Sequence, residues 1–175
     1  DTPEKLKTEC GVFVTLSRLR GKEKELRGCI GHPEPDMPLV DATIDSAISS
    51  AVGDPRFHPV SLEELNNLIV EVSVLTPFQQ IKAEKPEKLV EQFKVGQDGL
   101  VIEWRWNKGL LLPQVPVEWN WNEDEFLANC CMKAGLPPDA WLNPDVKIYK
   151  FQAVVYSEEE PKGRIKRYNL TSECG

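Results

Sequence analysis

Two short runs near the start of the chain do most to limit its fold. Val12, Val14 and Leu16 alternate with Thr15 and Ser17, the period-two pattern of a strand that buries one face. A polar stretch over residues 20–25 turns the chain, and residues 26–30 return as a second strand. The expectation is a β-hairpin that delivers Arg27-Gly28-Cys29-Ile30-Gly31 at its end.

Helix signals follow. Asp36 and Pro38 mark a start, Leu39, Ala42, Ala47, Ile48, Ala51 and Val52 form an apolar stripe, and Gly53 supplies a stop. Ser61 with Glu64 predicts a capping box for a short helix, and Asn122 with Glu125 predicts another for a helix running to about Ala134. Residues 68–76 are nearly all apolar and rich in β-branched side chains, the mark of a central strand. A short amphipathic helix is expected over 86–93. Asp98-Gly99 and Asn107-Lys108-Gly109 read as turns separating strands near 93–96, 100–106 and 110–112. Residues 146–156 read as one long closing strand. Strands grouped in hairpins, without regular strand–helix alternation, predict an α+β fold of antiparallel sheets with flanking helices. The length of 175 residues fits a single domain over residues 1–175, built as one body or as two interleaved subdomains.

Charge narrows the function classes. Twenty-one basic and 28 acidic residues give a net charge of −7, the wrong sign for a chain whose main ligand is nucleic acid. Five cysteines (Cys10, Cys29, Cys130, Cys131, Cys174) without regular spacing argue against a disulfide framework. With only His32 and His58 available and no CxxC pair, no metal site is expected, and no cofactor-binding fingerprint is present. No apolar run approaches the roughly 18 residues of a membrane-spanning helix, and no secretory signal opens the chain, so the reading is of a soluble, cytoplasmic protein that does not engage membranes.

Three segments hold candidate chemistry. Cys29 lies between Gly28 and Gly31, where little side-chain cover leaves the sulfur approachable and the backbone N–H groups open to a ligand. Strict alternation puts Arg27 and Cys29 on one strand face, where the guanidinium would favour a thiolate. From the residues alone, the favoured reading is a small buried cysteine with glycines that permit tight packing. In Asp54-Pro55-Arg56-Phe57 a stiff loop presents Arg56 to a carboxylate or phosphate, with Asp54 orienting it, or the two simply pair with each other. Gln114 and Glu118 follow three leucines and a proline and face either a cleft or solvent. Trp104, Trp106, Trp119 and Trp121 are dense enough for base stacking, although core or rim packing accounts for them as well.

Taken in order, GVFVTL, LRGCIG, DPRF with a proline two residues on, VSVLTP and LLLPQV resemble the AMMECR family, from Gly11 to about Tyr156. The Trp- and Lys-rich closing part resembles prokaryotic, archaeal members; family members usually carry a helical segment upstream of GVFVTL, a pattern from which this sequence, opening at Asp1, departs. The resemblance further implies larger and smaller subdomains around a cleft near LRGCIG, and it supplies no established reaction. On this footing Cys29 and Arg27 are the candidate catalytic pair, with Cys29 as nucleophile or redox thiol. Gly28, Gly31, Asp54, Arg56 and Gln114 are the candidate binding residues for an anionic small molecule or nucleotide-like group. The family association also implies Memo-type and radical S-adenosylmethionine proteins as partners. A non-enzymatic adaptor that docks partner enzymes is the rival reading, and an RNA-binding module the third.

Overall fold

The structure is a computed structural model and describes residues 2–169; Cys174 lies outside the described residues. Strand β1 (Val12–Arg20) turns through Gly21, at φ 65°, into β2 (Glu23–His32). The connection is two residues long, tighter than the polar stretch suggested, because a glycine takes the left-handed conformation there without steric cost. Helix α1 (Leu39–Val52) starts after Pro38, and the N–H of Gly53 closes its last turn on the Ser49 carbonyl. The one-turn helix α2 (Leu62–Leu65) has both bonds of its capping box, Ser61 with Glu64. Strand β3 (Leu68–Leu75) completes the first run of elements.

Beyond Pro77 the chain builds a second sheet. It contains β4 (Gln79–Ile81), β5 (Gly99–Trp104), β6 (Asn107–Leu111) and, after helices α3 (Val115–Glu118) and α4 (Glu123–Lys133), β7 (Lys147–Phe151). The sheet order is β4-β7-β5-β6 with every pair antiparallel. Strands β8 (Ala153–Glu158) and β9 (Ile165–Asn169) then join the first sheet, ordered β2-β1-β3-β8-β9. The chain thus divides into a first unit, residues 2–77 and 154–169, and a second unit, residues 78–153. The α+β class holds, and residues 68–75 are the central strand of the five. Among the described residues, no helix is long and apolar enough to cross a membrane.

Four expectations need correction. Residues 93–96 form turns rather than a strand, and 86–93 carry a 3₁₀ helix, Pro86–Glu91, in place of an α-helix. The hairpin between β5 and β6 turns at Arg105-Trp106, with Arg105 at φ 55°. Asn107 and Gly109 are strand residues chosen for α4: the Asn107 side-chain amide donates to the Ala134 carbonyl at 2.9 Å, and a Cβ on Gly109 would lie 2.5 Å from the Ala134 backbone nitrogen. Residues 146–156 are two strands, interrupted at Gln152 and serving different sheets. No sequence periodicity marks that break.

Each unit has its own core. In the second, Phe126, Leu127, Leu100, Ile102 and Ile148 pack with Phe93 and Trp141; Trp104 and Trp121 lie partly buried against them. Full burial of each such aliphatic or aromatic side chain contributes about 1.5–3 kcal/mol. Trp106, at the hairpin tip, and Trp119 are exposed, so neither belongs to the core, although Trp119 stacks on Trp121 with ring centroids 6.2 Å apart. In the first unit Val14, Leu16 and Leu68 pack with Ala47 and Ala51 of α1.

One close approach seats α1 on the hairpin. A Cβ on Gly28 would lie 2.0 Å from the Ser50 carbonyl oxygen. At the same crossing the Ser50 hydroxyl donates to the Val14 carbonyl and accepts from the Ile30 N–H, both at 2.8 Å. Gly28→Ala is therefore expected to destabilise the protein by about 1–3 kcal/mol, as overpacking against rigid backbone does. A urea titration measures it; an unchanged midpoint would show that the helix can lift away at little cost.

Candidate functional site

The two motif segments meet along the open edge of β2, the outer strand of its sheet. An edge strand presents backbone groups that its own sheet leaves unpaired. Here the loop after α1 supplies the partners. The Cys29 N–H donates to Asp54 Oδ2 at 2.9 Å, and the Cys29 carbonyl accepts from Arg56 Nη2 at 3.4 Å. Asp54 and Arg56 are themselves joined by a two-pronged ion pair, Nε to Oδ1 at 2.9 Å and Nη2 to Oδ2 at 2.7 Å, while the Arg56 N–H donates to Oδ1. The pair behaves like a short neighbouring strand made of side chains.

Asp54 is buried while the Arg56 side chain is about half exposed. The Arg56 guanidinium, reinforced by the Cys29 and Arg56 backbone N–H groups, holds the Asp54 carboxyl well below the usual carboxylate range despite the opposing effect of burial. Asp54 in turn raises the Arg56 guanidinium further, so this pair is ionic at every working pH.

Arg27 goes elsewhere. The β1–β2 register slips between Leu16 and Ser17: Leu16 faces Gly28, Ser17 faces Leu26, and Arg27 is the extra residue of a bulge. Bulges re-aim a side chain, and Arg27 and Gly28 are consecutively buried where strict alternation would bury only one. The expectation of a simple shared face for Arg27 and Cys29 overlooks this bulge. At 5% exposure Arg27 needs a counter-charge, and Glu64 provides it, accepting from Nε at 2.9 Å and Nη2 at 3.1 Å. Glu64 also accepts the Ser61 N–H of its capping box and lies 3.4 Å from Arg18. The Arg27 bonds come first among the causes that lower its pKa to about 2.

The Cys29 thiol is half-buried, and the Thr15 hydroxyl donates to its sulfur at 3.3 Å. The flanking glycines have protein neighbours: Gly28 meets Ser50, and a Cβ on Gly31 would lie 2.4 Å from both the Phe13 ring and the Val12 carbonyl oxygen. Their lack of a side chain thus gives α1 and β1 the clearance they use. Gln114 belongs to the second unit, just before α3, with its buried Oε1 lacking a hydrogen-bond partner among the described residues. His32 pairs with Asp45 at 2.6 Å on the exposed end of β2.

Around Arg56 the first unit opens into a hollow of about 580 Å³, lined by Arg18, Arg27, Pro55, Arg56, Phe57, His58 and Glu64. Phe57 has two guanidinium groups near its ring, Arg27 at 5.9 Å and Arg56 at 5.5 Å from the centroid. Sequence reasoning missed Arg18 and Glu64 as members, and Thr15 as the partner of the Cys29 thiol. The available signal was that a buried arginine demands a carboxylate, but Glu64 had already been assigned to its cap. Among the described residues, no three His, Cys, Asp or Glu side chains gather closely enough to hold a metal ion.

These features define an α+β chain with a basic hollow built from a cysteine-bearing edge strand and an Asp-Pro-Arg-Phe loop. The AMMECR1 family model matches residues 1–156, and the chain belongs to that family. Protein PH0010 of Pyrococcus horikoshii is 59% identical over 171 residues, covering 97% of this chain and 82% of that protein. Protein MJ0810 of Methanocaldococcus jannaschii is 53% identical over 163 residues, 93% of this chain and 80% of its own length. The crystal structure of the uncharacterized protein PH0010 superposes with a TM-score of 0.88 at 58% identity, covering 96% of this chain and 83% of that one. These relatives are archaeal, as the closing part of the sequence suggested.

The ion pairs set a response to acid. Asp54 and Glu64 have folded pKa values below their unfolded ones, so the stability they contribute is complete above the unfolded carboxylate range of about 4 to 4.5 and is lost as pH falls through the folded values. For Glu64 that window runs from about 4.5 down to about 2. Glu64→Gln should flatten the pH dependence of the denaturant midpoint within it; an unchanged slope would remove the Arg27–Glu64 pair from this account.

Proposed function

We propose that the chain binds a small anionic ligand, a phosphate- or carboxylate-bearing group of nucleotide-like size, in the hollow around Arg56. The observation that carries this reading is the charge of the lining: three arginines against the single carboxylate of Glu64, on a protein of net charge −7. With Asp54 counted beside Arg56 and His58 left out of the sum, one positive charge remains for a ligand. Arg56 is the exposed member, offering its free edge to the ligand while Asp54 holds it in place. The half-buried Phe57 ring gives an apolar wall suited to a base or other flat group.

Inorganic phosphate and AMP are the probes. At about a hundred times the dissociation constant, either should raise the melting temperature by roughly 5 °C or more. Arg56→Gln should abolish the rise. No shift with either probe, or a shift that survives Arg56→Gln, refutes the reading.

In the enzymatic form of this reading Cys29 is the reactive thiol, supported by its partial exposure and by its backbone bonds to both members of the Asp54–Arg56 pair. Burial pushes Cys130 up to about 12 and Cys131 up to about 11, so both should resist iodoacetamide at pH 8 while the protein is folded. Mass spectrometry of the folded protein should find Cys29 alkylated and those two unmodified. Cys29 that reacts only after unfolding ends the thiol reading.

The adaptor reading has support of its own. Ile44, Ile48 and Val52 lie one helical turn apart along α1 and are each more than half exposed. By family association the partners would be Memo-type or radical S-adenosylmethionine proteins. Pull-down with a Memo-type protein should survive Cys29→Ser and be lost in Ile44→Glu/Ile48→Glu; retention in the latter rules this face out.

A further inference from the structure

Trp119 and Trp121, between α3 and α4 in the second unit, play no part in the readings above. The chain leaves α3 through a turn held by its own backbone: the N–H groups of Trp119, Asn120 and Trp121 donate to the carbonyls of Val115, Val117 and Pro116. Asn120 takes the left-handed conformation there, at φ 54°, which asparagine tolerates better than most residues. The two indoles stack, with ring centroids 6.2 Å apart and planes 16° from parallel. Trp121 is partly buried against the core and fixes the inner ring. Trp119 is 68% exposed, so the stack presents a fixed aromatic face to solvent.

Such a face carries the negative side of the ring quadrupole, and its preferred ligand is a cation. The neighbouring charges agree. Glu118 precedes Trp119, and Glu123, Asp124 and Glu125 follow Trp121. None of the four forms an ion pair among the described residues. Three of them open α4, where a helix favours carboxylates, and Glu125 closes its capping box; Glu118 ends α3 and takes no part in that cap. Residues 109–132 contain no lysine, arginine or histidine, so this stretch of chain supplies no cation of its own.

We propose that the Trp119 face docks a basic segment of a partner protein, with an arginine guanidinium flat on the indole and its N–H groups directed at Glu118. Arginine suits the place better than lysine, because its planar group stacks on an aromatic ring and donates to a carboxylate as a fork. Carboxylates on both sides of the tryptophan pair in the sequence match a segment with more than one cation, so the occupant is a peptide chain and not a free amino acid.

The test is a titration of the full chain, labelled with nitrogen-15, with the acetylated and amidated peptide Arg-Gly-Arg, followed by NMR of the five indole N–H signals. The signals of Trp119 and Trp121 should shift saturably while those of Trp104, Trp106 and Trp141 stay in place. The same peptide with citrulline for arginine keeps the shape, loses the charge and should bind about tenfold more weakly. Trp119→Ala, at an exposed position, should abolish binding and leave the denaturant midpoint unchanged; Glu118→Gln should weaken binding about threefold. Absence of saturable shifts at Trp119, equal binding of the citrulline peptide, or binding that survives Trp119→Ala overturns the proposal. N-acetylarginine amide that binds as tightly as the peptide overturns the partner segment as the occupant.

Discussion

The arrangement of the first unit depends on how β2 deals with its open side. An outer strand with free amide and carbonyl groups is a template for unwanted pairing, and a charged side chain is one of the usual remedies. Here the remedy is a salt bridge turned sideways. Asp54 and Arg56 offer one acceptor and one donor to Cys29, so the loop after α1 closes the sheet and is held by it. Because Asp54 is buried and accepts from the Cys29 N–H, the loop cannot move away without giving up that bond and the one from Arg56 to the Cys29 carbonyl. Rigid placement of Arg56 follows from strand chemistry.

The same economy governs Arg27. A bulge turns it inward, Glu64 receives it, and the Glu64 carboxylate is anchored by the capping box of α2. One carboxylate therefore ties the hairpin to the segment that leads into β3. The residue that looked most like an aid to the thiol is a fastening between elements, and the charge that reaches the solvent side of the hollow is Arg56. Gly28, Gly31 and Arg27 each have a neighbour in the fold that uses them: Ser50, Phe13 and Glu64.

Local features were legible in the sequence. Ser61 with Glu64 and Asn122 with Glu125 are capping boxes because four consecutive residues determine them. The alternation in residues 12–17 marks β1 for the same reason. Illegible features had causes elsewhere in the chain. Asn107 and Gly109 have turn chemistry, yet α4 claims both, the one as a hydrogen-bond donor and the other for clearance. The real turn, at Arg105-Trp106, lacks any glycine. At the candidate site, Cys29, Asp54 and Arg56 were singled out from the sequence, but their union through backbone bonds was not legible there, and the diversion of Arg27 to a partner 37 residues away goes with a bulge that alternation does not encode.

The interruption at Gln152 has a consequence for biosynthesis. Strands β8 and β9 come last in the chain yet belong to the sheet begun by β1, so the second unit is an insertion within the first. A ribosome delivers residues in order at about 5–20 per second, and domains fold as they emerge. The nascent hairpin and β3 must wait several seconds, with the β3 edge unpaired, until the whole inserted unit has been made. Early termination anywhere before residue 153 would leave that edge exposed, so the last strands act as a check on the completeness of the chain.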